Sequence, residues 1–265
     1  MAISAYFEAS WTLDRMDLRD VAVHALDFLW NECRDAERGM YRFHDGNEPR
    51  ILGLLGDQVH MAKALLDAHE VTGDSTHLDR ALELSRLLLD RFVDRETGGF
   101  YDVWEEIEDV GRLKDRQKSI QDNTACAEVF LRLHHLTRDD DYRTIALGTL
   151  DAFVSAYPHM GYFAAGYARH VDTLLNSPAE VKILGDSSSV AELHRAALWL
   201  DVPSRIVQVL DPVRDAERLE ALSLPAQPAP AAYACAGTMC SPPVTAADAL
   251  AEAVKDMQAA AVRSS

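Results

Sequence analysis

The feature that most limits what this chain can fold into is an internal repeat. Shifting the sequence by 65 positions lays Asp57, Ala62, Leu66, His69, Thr72, Asp74, Ala81 and Leu82 on Asp122, Ala127, Leu131, His134, Thr137, Asp139, Ala146 and Leu147, eight identities in a window of 26 residues. Apolar residues recur at helical spacing through both copies, so each reads as two helices joined by a short turn. In the first copy, Gly73 can take the left-handed conformation that ends a helix, and Asp74 or Ser75 can cap the next one. Asp139 to Asp141 suit the same task before Tyr142. Two helices per copy at this period are the mark of stacked helical hairpins.

The same spacing predicts helices over Leu18 to Trp30, His60 to Val71, Leu78 to Phe92, Ala125 to Leu136, Tyr142 to Phe153 and Tyr162 to Leu175, with a seventh at Ile3 to Trp11. A second echo joins Asp35-Ala-Glu37-Arg-Gly39-Met-Tyr41 to Asp94-Arg-Glu96-Thr-Gly98-Gly-Phe100. Both segments follow a helix and end on an aromatic, and Gly98-Gly99 permits a turn where a side chain would clash. From Pro178 the pattern changes. Strands at Glu180 to Leu184 and Arg205 to Leu210 flank a helix at Ser189 to Leu200, a βαβ order that gives parallel pairing. Pro225 to Pro230 reads as a semi-rigid connector. Ala231 to Ala234 supplies a third strand, and Thr245 caps a last helix to about Met257, beyond which the chain is expected to fray. The expected architecture is therefore mainly α: a helical-hairpin domain over 1–177 and a small α/β appendage over 178–265.

Composition narrows the function classes. There are 43 acidic against 26 basic residues, for a net charge of −17. Polyphosphates need clustered Lys and Arg, so nucleic acid is not an expected partner. No stretch of about 18 uncharged apolar residues offers a membrane span, and the N-terminus lacks the pattern of a signal peptide. Four cysteines are too few for a secreted disulfide scaffold, which makes a reducing cytoplasm the expected location. Cys33 and Cys126 fall within helices as small apolar residues. Cys235 and Cys240 could form a local bridge or a redox pair, but the Cys-x-x-Cys spacing is absent and two reduced thiols are the favoured reading. The ten histidines make no metal motif. Adjacent His134 and His135 should splay apart on a helix, and no metal or cofactor is expected.

Candidate chemistry centres on the repeat-equivalent carboxylates Asp57 and Asp122. Each precedes an amide, Gln58 or Asn123, at the start of a helix that follows a loop. Facing one cleft, they would suit general acid and base work on a glycosidic bond or a sugar carbon. The same positions also suit plain N-caps. His60, Tyr101, Asp102, Trp104, Lys114 and Gln121 lie near them in sequence or by repeat. The loop carrying Tyr101 and Trp104 combines aromatics with a carboxylate, as stacking on a sugar ring requires, although its aromatics could equally pack between hairpins. Gly185-Asp186-Ser-Ser-Ser189, after a strand and before a helix, is an anion-site candidate.

Gly98-Gly-Phe-Tyr-Asp102, Gln121-Asp-Asn123, Glu180-Val-Lys-Ile-Leu-Gly185 and the ending Ala232-Tyr-Ala-Cys-Ala-Gly-Thr-Met-Cys-Ser-Pro-Pro-Val244, in that order, resemble one known group. They look like the C-terminal half of the thioredoxin-domain-containing family related to spermatogenesis-associated protein 20, over nearly the whole chain. The resemblance implies part of an (α/α) toroid of the six-hairpin glycosidase kind, a fold shared with sugar epimerases and glycoside hydrolases. Two departures bear on function. No thioredoxin-like segment or Cys-x-x-Cys is present, so thiol-redox activity is not implied, and the helices before Pro178 are too few to close such a ring. The Pro-Ser loop usual after the Asp-Asn pair is also missing, since Thr124-Ala-Cys-Ala-Glu128 runs straight on. The expected function is carbohydrate binding or processing with a small sugar-like ligand. The alternative is a non-enzymatic scaffold that docks a thioredoxin-like partner or a second copy as a homo-oligomer.

Overall fold

The computed structural model describes residues 1–104, 115–202, 204–224, 230–237 and 239–264. Lys114 and residues 225–229 of the connector lie outside them. The predicted helices all form: α1 (Ala2–Thr12), α2 (Met16–Glu32), α3 (Leu55–Thr72), α4 (Ser75–Arg91), α5 (Ile120–Thr137), α6 (Asp140–Asp151) and α7 (Ala165–Leu175). Each first helix pairs with the second of its own hairpin, and α1, α3, α5 and α7 also pack side by side in a row. Burial follows that layering. α3 and α5 bury residues around most of their circumference, whereas α2 and α6 bury one stripe each, as expected of an outer layer.

The repeat has a physical cause at the hairpin turns. Gly73 and Arg138 both take left-handed φ values, +70° and +64°, and their N–H groups donate to the carbonyls of His69 and His134. His69 and His134 each place Nδ1 3.0 Å from the carbonyl of Asp74 or Asp139. Those two aspartates then cap α4 and α6, accepting from Thr76 N and Asp141 N. One hydrogen-bonded turn is thus used twice. Between the copies, equivalent positions carry opposite charges: Lys63 pairs with Glu128, and Arg132 with Asp67. That complementarity fixes α3 and α5 in register.

Two short hairpins, β1 (Arg34–Asp35) with β2 (Gly39–Met40) and β3 (Phe43–His44) with β4 (Pro49–Arg50), lead from α2 to α3. The appendage forms a sheet from β5 (Ala179–Leu184), β6 (Arg205–Leu210), β7 (Ala231–Ala236) and β8 (Met239–Cys240), in the order β6-β5-β7-β8. β5 and β6 are parallel, as the βαβ order requires, with α8 (Ala191–Leu198) between them, and β7 is antiparallel to β5. α9 (Ala216–Ala221) follows β6, and α10 (Leu250–Ser264) packs on β7. Thr245 does not start that helix; a 3₁₀ turn at Ala247–Ala249 does, and α10 runs on past Met257 to Ser264. The sheet seats on the ends of α3 and α5, where a Cβ on Gly73 would lie 3.0 Å from Val209 Cβ and Glu70 Oε1 accepts from Val207 N.

One more expectation fails at this seam. His134 and His135 do not splay apart; their rings meet edge-on with centroids 4.9 Å apart, because His135 Nδ1 turns to Glu180 Oε1 at 2.9 Å. None of the described helices is long and apolar enough to cross a membrane.

Candidate functional site

The acidic cleft lies at the N-terminal ends of α3 and α5. Neither Asp57 nor Asp122 is an N-cap. α3 begins at Leu55 and α5 at Ile120, so each carboxylate sits within the first turn; the cap of α5 is Ser119, whose Oγ accepts from Asp122 N at 3.3 Å. α3 is preceded by Leu54, which offers no side-chain cap, and among the described residues no backbone N–H is bonded to either carboxylate. The two carboxylates line one cavity of about 630 Å³ together with His60, Arg42, Tyr41 and Asp102, walled by Leu29, Met40, Met61 and Val103. A Cβ on Gly56, next to Asp57, would lie 3.4 Å from Asp122 Oδ1, which measures how closely the two helix starts approach.

The electrostatics of the three central groups differ. Asp57 Oδ2 is buried with no hydrogen-bond partner among the described residues, and Arg42 Nη1 stands 3.9 Å away. A helix N-terminus favours negative charge, yet burial pushes the Asp57 carboxyl upward, Arg42 only partly opposes this, and the neighbouring Asp122 charge adds to it. His60 Nε2 lies 4.0 Å from Asp122 Oδ1, its Nδ1 is buried and unpartnered, and burial pushes its pKa down. A carboxyl pushed toward its neutral form beside a carboxylate and a neutral imidazole is a set able to give and take protons. Above it, Ile51 takes φ +58° at the end of the loop that carries Arg42, a strained conformation for a β-branched residue.

Other expected site residues are placed elsewhere. Gln58 is fully buried: its Oε1 accepts from Met40 N at 2.7 Å, and its Nε2 donates to the carbonyl of Met40 at 2.8 Å. Asn123 does the same one repeat later, accepting from Phe100 N at 2.6 Å and donating to Phe100 O at 2.9 Å. Both amides are clamps on the preceding loop and leave nothing for a substrate. Tyr101 donates its hydroxyl to Asp94 Oδ2 at 2.9 Å and packs its ring under Arg116, away from the cleft. Trp104 is buried against Phe92 with ring centroids 5.9 Å apart, so it cannot stack on a sugar. Gln121 is exposed and paired with Ser119 Oγ, outside the cavity. Asp102 does line it, with Oδ1 accepting from Gln117 N. Arg42 and Gly56 were missed. Their only signal was position, directly after the Gly-x-Tyr echo and directly before Asp57.

Two further candidates resolve. The Gly185–Ser189 segment holds no room for an external anion, because the carboxylate of Asp186 itself accepts from Ser188 N and Ser189 N, both at 3.1 Å. Cys235 and Cys240 are joined in a disulfide, not held as two thiols; the β7–β8 register sets them directly opposite each other. Cys33 and Cys126 are free and buried.

No protein-family model matches the chain. The chain is similar to spermatogenesis-associated protein 20 of Rattus norvegicus, 25% identical over 171 residues, which cover 62% of this chain and 22% of that protein. Among solved structures, a cellobiose 2-epimerase from Bacillus thermoamylovorans matches with a TM-score of 0.50 at 19% identity, over 57% of this chain and 42% of that one. A GH76 α-mannanase from Bacteroides thetaiotaomicron matches with a TM-score of 0.53 at 16% identity, over 74% and 53% respectively. The chain thus spans about a fifth of the rat protein and about half of either structure. The family resemblance read from the sequence is found again, over 62% of the chain, and the helical part matches a portion of the (α/α) toroid fold of glycosidase-like proteins.

Proposed function

We propose that the cleft at the starts of α3 and α5 binds a small sugar and that Asp57 and Asp122 carry acid–base chemistry on it. In this reading the helical unit, residues 1–177, holds the site, and the appendage, residues 178–265, closes the far ends of its helices. The observation that carries it is the pairing of two repeat-equivalent carboxylates in one concave cavity, neither of them used for capping. Asp57, pushed up by burial, is the proton donor. Asp122, with His60 4.0 Å from it, is the acceptor side. The apolar walls would take the faces of a sugar ring and Arg42 a hydroxyl. Support from the fold comes from its likeness to the toroids of a cellobiose 2-epimerase and an α-mannanase. The test is a panel of mono- and disaccharides assayed for binding by calorimetry and for turnover by sugar analysis. Asp57→Asn and Asp122→Asn should each abolish the response with helicity intact; unchanged behaviour in both would refute the assignment.

A scaffold role is the second reading, favoured by apolar side chains left exposed on the first and last hairpins, Val21 and Phe28 on α2 and Leu147 on α6. Such a module would dock a thioredoxin-like partner or a second copy. Light scattering that finds a stable monomer, with no binding of a hydrophobic dye, would dismiss it.

A further inference from the structure

Far from the acidic cleft, the seam between α5, α7 and the sheet encloses a second cavity of about 760 Å³, a size suited to small molecules, which take pockets of about 300–1,000 Å³. Its wall is basic in a chain of net charge −17: Arg138, Arg143 and Lys182 face it, against the single carboxylate of Asp140 among the described residues. Asp140 is 91% exposed and Arg143 is exposed too, so solvent and salt screen these two alike, and the less screened charge of the wall is that of Lys182 and Arg138. Lys182 is built in, only 2% exposed, with Nζ 2.7 Å from Glu180 Oε2. Arg138 Nη2 reaches the same oxygen at 3.0 Å and the Gly237 carbonyl at 3.1 Å. One carboxylate thus serves two cations, and positive charge is left over. Arg143 has no ion-pair partner among the described residues. The same cavity is lined by Cys240, the exposed half of the disulfide whose other half, Cys235, is buried. Glu180 is the cross-strand partner of Cys235, so charge cluster and disulfide share one patch of sheet.

We propose that this cavity binds small carboxylate-bearing thiols and that the Cys235–Cys240 disulfide exchanges with them at Cys240. The thiol loses its proton to solvent, and its thiolate attacks Cys240 Sγ, the sulfur that solvent can reach. The Cys235–Cys240 bond breaks, its electron pair passes to Cys235 Sγ as a thiolate, and a new disulfide joins Cys240 to the ligand. Return attack by Cys235 reverses the step. A second equivalent of thiol instead releases the ligand as its own disulfide, so two thiols are oxidised while one protein disulfide is reduced. The basic wall concentrates an anionic thiol at the mouth and does nothing for a neutral one.

The experiment uses the oxidised full chain with glutathione as the anionic probe and 2-mercaptoethanol as the neutral one. Each rate of opening is read by alkylation and mass spectrometry, then divided by the same thiol's rate on a small neutral disulfide. The normalised glutathione rate should exceed the other on the order of tenfold at low salt, with the adduct on Cys240. Arg143→Glu and high salt should each erase that ratio, and Arg143→Lys should keep it. Equal normalised rates, an adduct on Cys235, no effect of Arg143→Glu, or four free thiols in protein isolated under air would each overturn the proposal.

Discussion

Truncating one clamp amide tests the link between the repeat and the fold most directly. In Asn123→Ala the side chain that holds the loop before α5 is gone. Phe100 N–H loses its acceptor at 2.6 Å and Phe100 C=O its donor at 2.9 Å, both inside a residue with no exposed surface. The strand bridge between Val93 and Phe100 cannot compensate, because its hydrogen bonds run through the neighbouring groups, Tyr101 N to Phe92 O and Asp94 N to Gly99 O. Ser119 O keeps its bond from Asn123 N, so two groups are orphaned. At about 1–3 kcal/mol for each buried unsatisfied group, the loss is roughly 4 kcal/mol, a large share of the roughly 5–15 kcal/mol that holds an ordinary domain. Gln58→Ala orphans the N–H and C=O of Met40 in the same way and should cost a similar amount. Asn123→Asp keeps the acceptor and loses the donor, and should fall between. Urea titrations followed by far-ultraviolet circular dichroism give the values by linear extrapolation. A loss under about 1 kcal/mol in both alanine variants, well below one orphaned pair, would refute the clamp. So would loss of sugar binding at unchanged stability.

The remaining predictions follow from single observations. Gly99→Ala puts a Cβ 2.9 Å from Asn123 Oδ1 at φ +76°, and should cost about 1–2 kcal/mol for the backbone alone, plus whatever the clamp gives up, in the same titration. Ile51→Gly relieves φ +58° and should raise stability by up to about 1 kcal/mol, with looser sugar binding if the strained loop orders Arg42. Stability should fall on acidification in two stages, measured as melting temperature against pH. Burial lowers His69 to about 4, so its contribution is intact above the unfolded value of 6.5 and is lost toward pH 4. Glu180, held down to about 2 against its own burial by His135, Lys182 and Arg138, contributes above 4.5 and is lost toward pH 2. Glu180→Ala should cost roughly 3–5 kcal/mol at neutral pH, since it strands Lys182 and Arg138 without their counter-charge.

The helices, the hairpin turns and the parallel pairing of β5 with β6 were legible because each rests on a short-range pattern, whereas the place of β7 and the strand β8 were not. A periodic apolar stripe, a left-handed residue at Gly73 and an aspartate cap need only their neighbours. The second loop echo was legible with its register off by one. Asp35 and Asp94 hold matching turns, accepting from Glu37 and Arg38 N–H and from Glu96 and Thr97 N–H, but the clamped residues are Met40 and Phe100, so the second loop is one residue longer. The roles of Trp104, Tyr101 and Gln121 were not legible. An aromatic beside a carboxylate reads alike whether it faces solvent or the core, and only packing against Phe92 and the pull of Asp94 decide. The disulfide was hidden for a similar reason: a five-residue separation becomes a cross-strand pair only once β8 folds back on β7.

The pairing of an acid with an amide at both helix starts now has a single explanation, and it yields opposite responses from adjacent residues. Successive side chains on a helix diverge by about 100°. When Gln58 and Asn123 turn inward to hold the loops, Asp57 and Asp122 are carried round to the cleft. The amide therefore works for the fold and positions the acid, which works for the site. Asp57 shows the cost of that arrangement, because its raised carboxyl ionises less readily in the folded chain than in the unfolded one. The sign follows: its contribution is complete below the unfolded value and is lost as pH rises through the folded one, so at neutral pH the ionised group is a net cost. Asp57→Asn should leave the melting temperature at pH 7 unchanged or higher, with the difference vanishing near pH 3, while Gln58→Ala lowers it at both. A melting temperature that falls in Asp57→Asn at pH 7 would mean that the carboxylate supports the helix after all, and the released acid would have to be given up.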